Sequence, residues 1–409
     1  MNPVPHASDP PEAAVAASVR WRSIAVLTAS LTLGGAAIGM VGPLITVILE
    51  RKGLSATLIG LNGAVPAIGL LSLVFGLPRL VRRVGAARAM YVGLALWAAA
   101  LLLMPVFSGP GAWLVLRFFL SLGFCIHWVV GEAWVNAAAT ERNRGRVVGV
   151  YVTLYTLGSA VGPIVLSATG FSGLLPFVVV AVLIASAAVP LSLLPRAAGP
   201  EMPRGSESLA IAARTAPVAM AIGYIAGFCD IGIIALLPIY GVKGGQSVGT
   251  TMALLVAFLA GTAVTQLPLG WLAERKDRRV LIVACALVVI AAAALLPHAL
   301  GSTPGMLLVM FLWGGAEIGF YTLGLVELGS KFARKQLIGA NTVFALMYGI
   351  GAFTGPLTGG AAMDAWGTDG LPATIAAAAA VLVLLAVCDG IFGRKPQFDS
   401  NGSQSPGAR

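Results

Sequence analysis

Charge is what this 409-residue sequence has least of: Asp, Glu, Lys and Arg together make up 10 % of it, against 58 % hydrophobic residues. Soluble domains carry about 25 % charged residues, so a water-facing globule is excluded and the bilayer becomes the solvent. Cysteine is scarce too. Cys125, Cys229, Cys285 and Cys388 all stand in apolar runs and no two form a Cys-x-x-Cys pair, which argues against disulfides and a zinc site. No metal and no other cofactor is expected. Also missing are His-Glu-x-x-His, Gly-x-Ser-x-Gly and the Gly-x4-Gly-Lys-Ser/Thr phosphate loop. Protease, hydrolase and ATP-driven readings therefore lack their residues, no catalytic residue is assigned, and an enzyme is not expected. The first residues have no basic start of a signal peptide, so residues 1–21 read as a disordered, uncleaved cytoplasmic tail.

Apolar stretches near 20 residues are abundant. Helices of that length cross ~30 Å of hydrocarbon, and twelve runs qualify: 22–49, 56–78, 87–107, 112–138, 147–170, 173–194, 215–241, 248–272, 280–300, 305–329, 337–362 and 371–392. They lack period-2 alternation, which excludes a barrel. The expected fold is an all-α membrane protein of twelve transmembrane helices. Residues 22–194 form an N-terminal bundle, 195–214 a polar linker, 215–392 a C-terminal bundle and 393–409 a tail.

The net charge of +10 is distributed by topology and does not point to nucleic acid. With alternate loops on opposite sides, 22 of the 26 Lys and Arg fall on the side of the termini and linker. Three, Arg51, Lys52 and Lys243, fall on the other, and Arg117 lies inside a span. The positive-inside rule makes both termini cytoplasmic, in a bacterial plasma (inner) membrane.

Two strings repeat: Gly158-Ser-Ala-Val-Gly162-Pro163 and Gly351-Ala-Phe-Thr-Gly355-Pro356, with 193 residues between the two prolines. Tyr155 and Tyr348 share that offset, and Pro43 and Pro238 nearly so. A repeat this long reads as two homologous halves of six spans, a layout of secondary transporters. Glycines four apart make a flat packing stripe, and proline kinks the helix. Between spans 8 and 9 stands Gln266-Leu-Pro-Leu-Gly270-Trp-Leu-Ala-Glu274-Arg275-Lys-Asp277-Arg278-Arg279. Gly270 allows close helix approach, Glu274 offers a carboxylate to Arg275, Arg278 or Arg279, and Asp277 suits the cap of span 9.

This string resembles the signature Gly-x-Leu-Ala-Asp-Arg-x-Gly-Arg-Arg of the major facilitator superfamily. The resemblance implies two pseudo-symmetric six-helix bundles and a cytoplasmic latch at Gly270, Glu274, Arg275, Asp277, Arg278 and Arg279. The first-half counterpart, Pro78 to Arg88, is degenerate and reads as topology-setting charge. The repeated Gly-Pro string is similar to the superfamily's antiporter motif; its second copy is complete, ending in Gly359-Gly360, while the first ends in Leu166-Ser167. Export and simple helix packing both remain open as its role. Glu132-Ala-Trp134-Val-Asn136 and Arg144-Gly145-Arg146-Val-Val-Gly149-Val-Tyr151 look like a YcaD-type bacterial branch, and that branch supplies no substrate.

Ionisable groups deep in a span are expensive and need a partner, water or a function. Here they are Arg117 and His127 in span 4, Asp230 in span 7 and Glu317 in span 10, spans that line the central cavity in the facilitator architecture. Asp230 is the first choice for proton coupling, with an ion pair to Arg117 as the alternative. Glu317 serves as proton carrier or as ligand for a cationic substrate. His127 is a relay or a packing residue. Trp128, Trp313 and Tyr321, with Thr28 and Thr32 on one face of span 1, are the candidate substrate contacts. Glu132 and Asn136 are expected to brace the corner between spans 4 and 5.

The expected function is secondary transport of a small organic solute by alternating access, proton-coupled, with export by antiport preferred and uptake by symport the alternative. A non-transporting membrane sensor is the rival of another class. The expected partners are the solute, protons and the lipid bilayer, with the chain a monomer.

Overall fold

The computed structural model describes residues 10–140, 143–194, 215–273, 275–332 and 337–392. Among them stand twelve long α-helices. In the N-terminal half these are α1 (Pro10–Arg51), α2 (Ala56–Val84), α3 (Ala86–Leu103), α4 (Pro110–Ala138), α5 (Arg144–Thr169) and α6 (Leu175–Leu191). The C-terminal half holds α7 (Pro217–Lys243), α8 (Val248–Ala273), α9 (Arg278–Leu295), α10 (Thr303–Lys331), α11 (Leu337–Trp366) and α12 (Gly370–Phe392). Each expected span falls on one helix. Ten are long and apolar enough to cross a membrane by themselves, and α6 is a shorter apolar helix of 17 residues, which still suffices for a thin crossing.

The ends follow local chemistry. Span 3 was expected to reach residue 107, but Pro105 has no N–H to continue the ladder, and the chain tightens into a 3-10 turn at Met104–Val106. Span 9 likewise stops at Leu295, ahead of Pro297 and a 3-10 turn at His298–Gly301. Gly85 sits at φ 85° between α2 and α3, a left-handed position that permits the abrupt junction. The disordered tail expected for residues 1–21 is corrected in part. Helix α1 begins at Pro10, because proline favours a helix start and the Ala-rich stretch behind it propagates readily. Residues 1–9, the linker 195–214 and the tail 393–409 lie outside the described residues.

The two halves are built alike. α1 packs on α5 and α6, α3 on α4 and α6, and α2 on α4; α7 packs on α11 and α12, α9 on α10 and α12, and α8 on α10. Between halves the main contacts are α2 with α11 and α5 with α8. Large apolar side chains such as Val182, Ile164, Leu308 and Leu384 remain exposed around the perimeter, where lipid covers them.

The repeated glycines set these contacts. A Cβ on Gly158 would lie 2.4 Å from the Thr32 carbonyl oxygen of α1, and one on Gly162 2.7 Å from that of Ala36. Their repeat partners do the same against α7: Gly351 at 1.9 Å from the Tyr224 oxygen and Gly355 at 2.0 Å from that of Phe228. The stripe therefore fastens the fifth helix of each half to the first, backbone against backbone. Pro163 and Pro356 lie inside α5 and α11. Gly359 extends the contact with α7 at Leu236, while Gly360 meets the Ala56 backbone of the other half.

Candidate functional site

Two of the acids inside the spans meet in one place. Asp230 of α7 and Glu317 of α10 both line a cavity of about 20 Å³ together with Ala226, Phe258, Thr262, Tyr321 and Tyr348. All of these residues belong to the C-terminal half. The volume suffices for one water molecule. No Lys or Arg is among the lining residues.

Each carboxylate has one strong donor. Tyr348 of α11 donates its hydroxyl to Asp230 Oδ2 at 2.5 Å, and Trp313 Nε1 donates to Glu317 Oε2 at 2.7 Å. Trp313 and Glu317 are one helical turn apart, so α10 itself orients the acid. Glu317 is 3 % exposed, and its Oε1 has no hydrogen-bond partner among the described residues. An unpaired buried oxygen of this kind costs about 1–3 kcal/mol, more when charged, unless a proton, water or solute comes to it. Thr262 of α8 turns its hydroxyl to the Phe258 and Gly314 carbonyls, which closes the wall.

The other candidates lie elsewhere. An ion pair between Arg117 and Asp230 was the alternative reading, yet Arg117 makes no ion pair among the described residues and its Nε and Nη1 have no hydrogen-bond partner. Asp230 is held by Tyr348 instead. His127 is buried in the N-terminal half against Gly34 of α1, 3.3 Å from where a Cβ would stand. Trp313 is fully buried with its N–H spent on Glu317, so it braces the acid and offers no open face for stacking. Tyr321 is 39 % exposed and meets Phe344 and Tyr348 edge-on. Trp128 stacks between Phe124 and Tyr155 and donates to the Tyr151 hydroxyl. Thr32 donates to the Thr28 carbonyl and its own carbonyl meets Gly158, so α1 packs on α5 at Thr32. Asn136 donates to the Glu132 carbonyl, a bond within α4.

At the linker face the signature string is partly described. Asp277 caps α9, accepting from Arg279 N at 2.8 Å, as its residue type implied. Arg278 pairs with Glu327 of α10 at 3.6 Å, Lys331 pairs with the same carboxylate at 3.5 Å, and Arg275 lies over the Trp271 ring. These contacts stay within the C-terminal half. Gly270 has open space where a close approach was expected, with nothing within 4 Å of an added Cβ. Glu274 lies outside the described residues. Asp277→Ala should lower stability by about 1 kcal/mol by removing the cap, while Asp277→Asn stays near the parent; thermal melting in detergent reads the difference.

Tyr348 and Thr262 were missed as site residues. Tyr348 was visible only as a repeat landmark, because nothing local in sequence links it to an acid 118 positions away.

Known proteins place this architecture. The family model of the Major Facilitator Superfamily matches residues 27–253 and 221–406. The chain is 26 % identical over 345 residues to the MFS-type transporter YfkF of Bacillus subtilis (strain 168), covering 82 % of this chain and 87 % of that one. It is 27 % identical over 347 residues to the MFS-type transporter YcaD of Escherichia fergusonii, covering 83 % and 88 %. Both relatives are described as uncharacterized. Among solved structures, the nucleoside transporter NupG superposes with a TM-score of 0.74 at 14 % identity, covering 90 % of this chain and 99 % of that one. A bacterial homolog of the human lysosomal transporter Spinster, in an inward-facing and unoccupied conformation, gives 0.71 at 16 %, covering 93 % and 96 %. At such identities these structures speak for the fold alone. The twinned bundles, the matching family model and the extended similarity to MFS-type transporters together make this chain a multi-pass secondary transporter of the Major Facilitator Superfamily.

Proposed function

We propose that the chain couples proton movement to transport of a small organic solute, and that Asp230 and Glu317 carry the proton. The observation that carries this reading is the shared cavity: two acids, one oxygen of Glu317 without a partner, and no basic residue in the lining. An intramembrane acid with no counter-charge is a functional group by default. As the halves rock, a proton on this pair and a solute beside Tyr321 alternate. The acid-bearing, largely apolar surroundings favour lipophilic or cationic solutes. Arg117 and His127 lie outside the cavity and are assigned to the N-terminal half's own structure. The excess of Lys and Arg on the linker side supports cytoplasmic termini in a bacterial inner membrane, and a monomer suffices because the cavity is complete within one chain. Export by proton antiport is the preferred direction.

A thermal-stabilisation screen of purified protein against lipophilic cations and neutral metabolites tests the site. Hits should raise the melting temperature of the parent, with the shift lost or halved in Asp230→Asn and Glu317→Gln. A hit unaffected by both substitutions would remove the pair from the solute path. In vesicles of known orientation, the same hit distinguishes antiport from symport by whether it moves against or with the proton gradient.

A further inference from the structure

The face opposite the linker carries a contact between halves that the coupling site does not use. Helix α2 begins there, with Ser55 as its N-cap accepting from Leu58 N. The N–H groups of Ala56 and Thr57 go to Asp364 of α11, in the other half: Ala56 N to Oδ1 at 2.8 Å and Thr57 N to Oδ2 at 2.8 Å. The Thr57 hydroxyl donates to the same Oδ2 at 2.6 Å. A helix start has orphan N–H groups and a partial positive charge, and here a carboxylate 308 residues away answers both. Lys243 at the end of α7 adds a favourable charge.

The surrounding backbones are in contact. An added Cβ would lie 2.1 Å from the Pro356 oxygen at Gly60 and 2.3 Å from the Ala56 oxygen at Gly360. Thr46 of α1 donates across the halves to the Ala235 carbonyl of α7 at 3.2 Å. Among the described residues, the pseudo-symmetric junction, α5 with α8, shows no such carboxylate cap and no cross-half hydrogen bond. By the repeat offset Asp364 corresponds to Phe171, Gly360 to Ser167 and Gly60 to Ala253. Ser167 and Ala253 line a cleft of about 580 Å³ there, with Ile164, Val256, Leu308 and Phe311.

We propose that Asp364 is the positioning residue that holds this face shut, a cap supplied in trans that must break and re-form once per transport cycle. Alternating access requires α2 and α11 to part on this face, and an interaction present in only one of two states biases their populations by its own free energy. Among the described residues the α5–α8 junction carries no comparable carboxylate cap, so Asp364 supplies the charged part of the bias, beside the Thr46 bond and the backbone packing. The inference rests on alternating access and is independent of proton coupling.

The test reads accessibility. In a background with Cys125, Cys229, Cys285 and Cys388 replaced by Ser, Thr46→Cys reports the locked face and Leu71→Cys, whose native side chain lies against Gly349 between the halves, reports the depth beyond it. Reconstituted protein is treated with a membrane-impermeant maleimide from each side in turn. Asp364→Ala should speed labelling of position 46 from the locked face about tenfold or more, the scale of a charge-assisted hydrogen bond, and slow labelling of position 71 from the linker face. Thr57→Val, which removes one of three bonds, should give a smaller shift in the same directions. Unchanged labelling in Asp364→Ala, or faster labelling from both faces, overturns the proposal; the latter marks loosening without a shift of state. Should Asp364→Ala not fold, Asp364→Asn and Thr57→Val decide by the same criteria.

Discussion

Gly351→Ala should fold in markedly lower yield than the parent and lose about 3 kcal/mol, the upper end of the usual cost of overpacking. The added carbon would stand 1.9 Å from the Tyr224 carbonyl oxygen and 2.7 Å from Phe228 N. Neither is the end of a flexible side chain, so a whole helix must shift. Gly158→Ala, at the repeat position, meets the Thr32 oxygen at 2.4 Å and should behave the same way with a smaller loss. Gly76→Ala is the control, since nothing lies within 4 Å of its Cβ. Size-exclusion profiles and thermal melting in detergent measure all three. If Gly351→Ala melted with the parent, the backbone contact between α7 and α11 would be wrong, and with it the account of the motif as a fastening within each half.

The same motif shows how far residue patterns reach. The bilayer demands helices of about 20 apolar residues, so most of the spans were legible from hydropathy, ten of them apolar enough to cross by themselves, and the duplication was legible because the glycine stripe recurs at a fixed offset. Asp277 was legible as a cap because its partner is two residues away. Pairings set by tertiary packing were not. Arg117 and Asp230 have opposite signs and share the membrane interior, which made their pairing an open alternative; which neighbour an acid meets depends on helix rotation, and α7 turns Asp230 toward Tyr348. Asp364 was overlooked for the same reason. It stands near the end of α11, where an acid looks like ordinary interfacial charge, and its partners are backbone groups that no residue type advertises. Thr28 and Thr32 raise a different ambiguity: small polar residues on one face fit a cavity wall or a tight seam equally well, and Thr32 packs closely against Gly158.

Glu317→Gln should reduce solute movement driven by a pH gradient to the level of protein-free vesicles, using a solute from the stabilisation screen. Exchange of labelled for unlabelled solute without a gradient should persist, because that half-cycle moves no net proton. Asp230→Asn should do the same, since the two acids share one cavity and lack a basic partner in its lining. Tyr348→Phe is the more discriminating change. It leaves both carboxyl groups in place and removes only the hydroxyl that Asp230 accepts. Hydrogen bonds to charged groups contribute about 1.5–3 kcal/mol, which corresponds to roughly 10- to 100-fold in the balance between loaded and empty sites. Driven transport in Tyr348→Phe should fall by about that factor, with its pH profile displaced and exchange retained. Tyr155→Phe, at the matching repeat position, has no acid to lose and should leave driven transport close to the parent. A pH profile unmoved by Tyr348→Phe would separate Asp230 from the proton path. Coupling would then rest on Glu317 alone, through the oxygen that Trp313 does not hold.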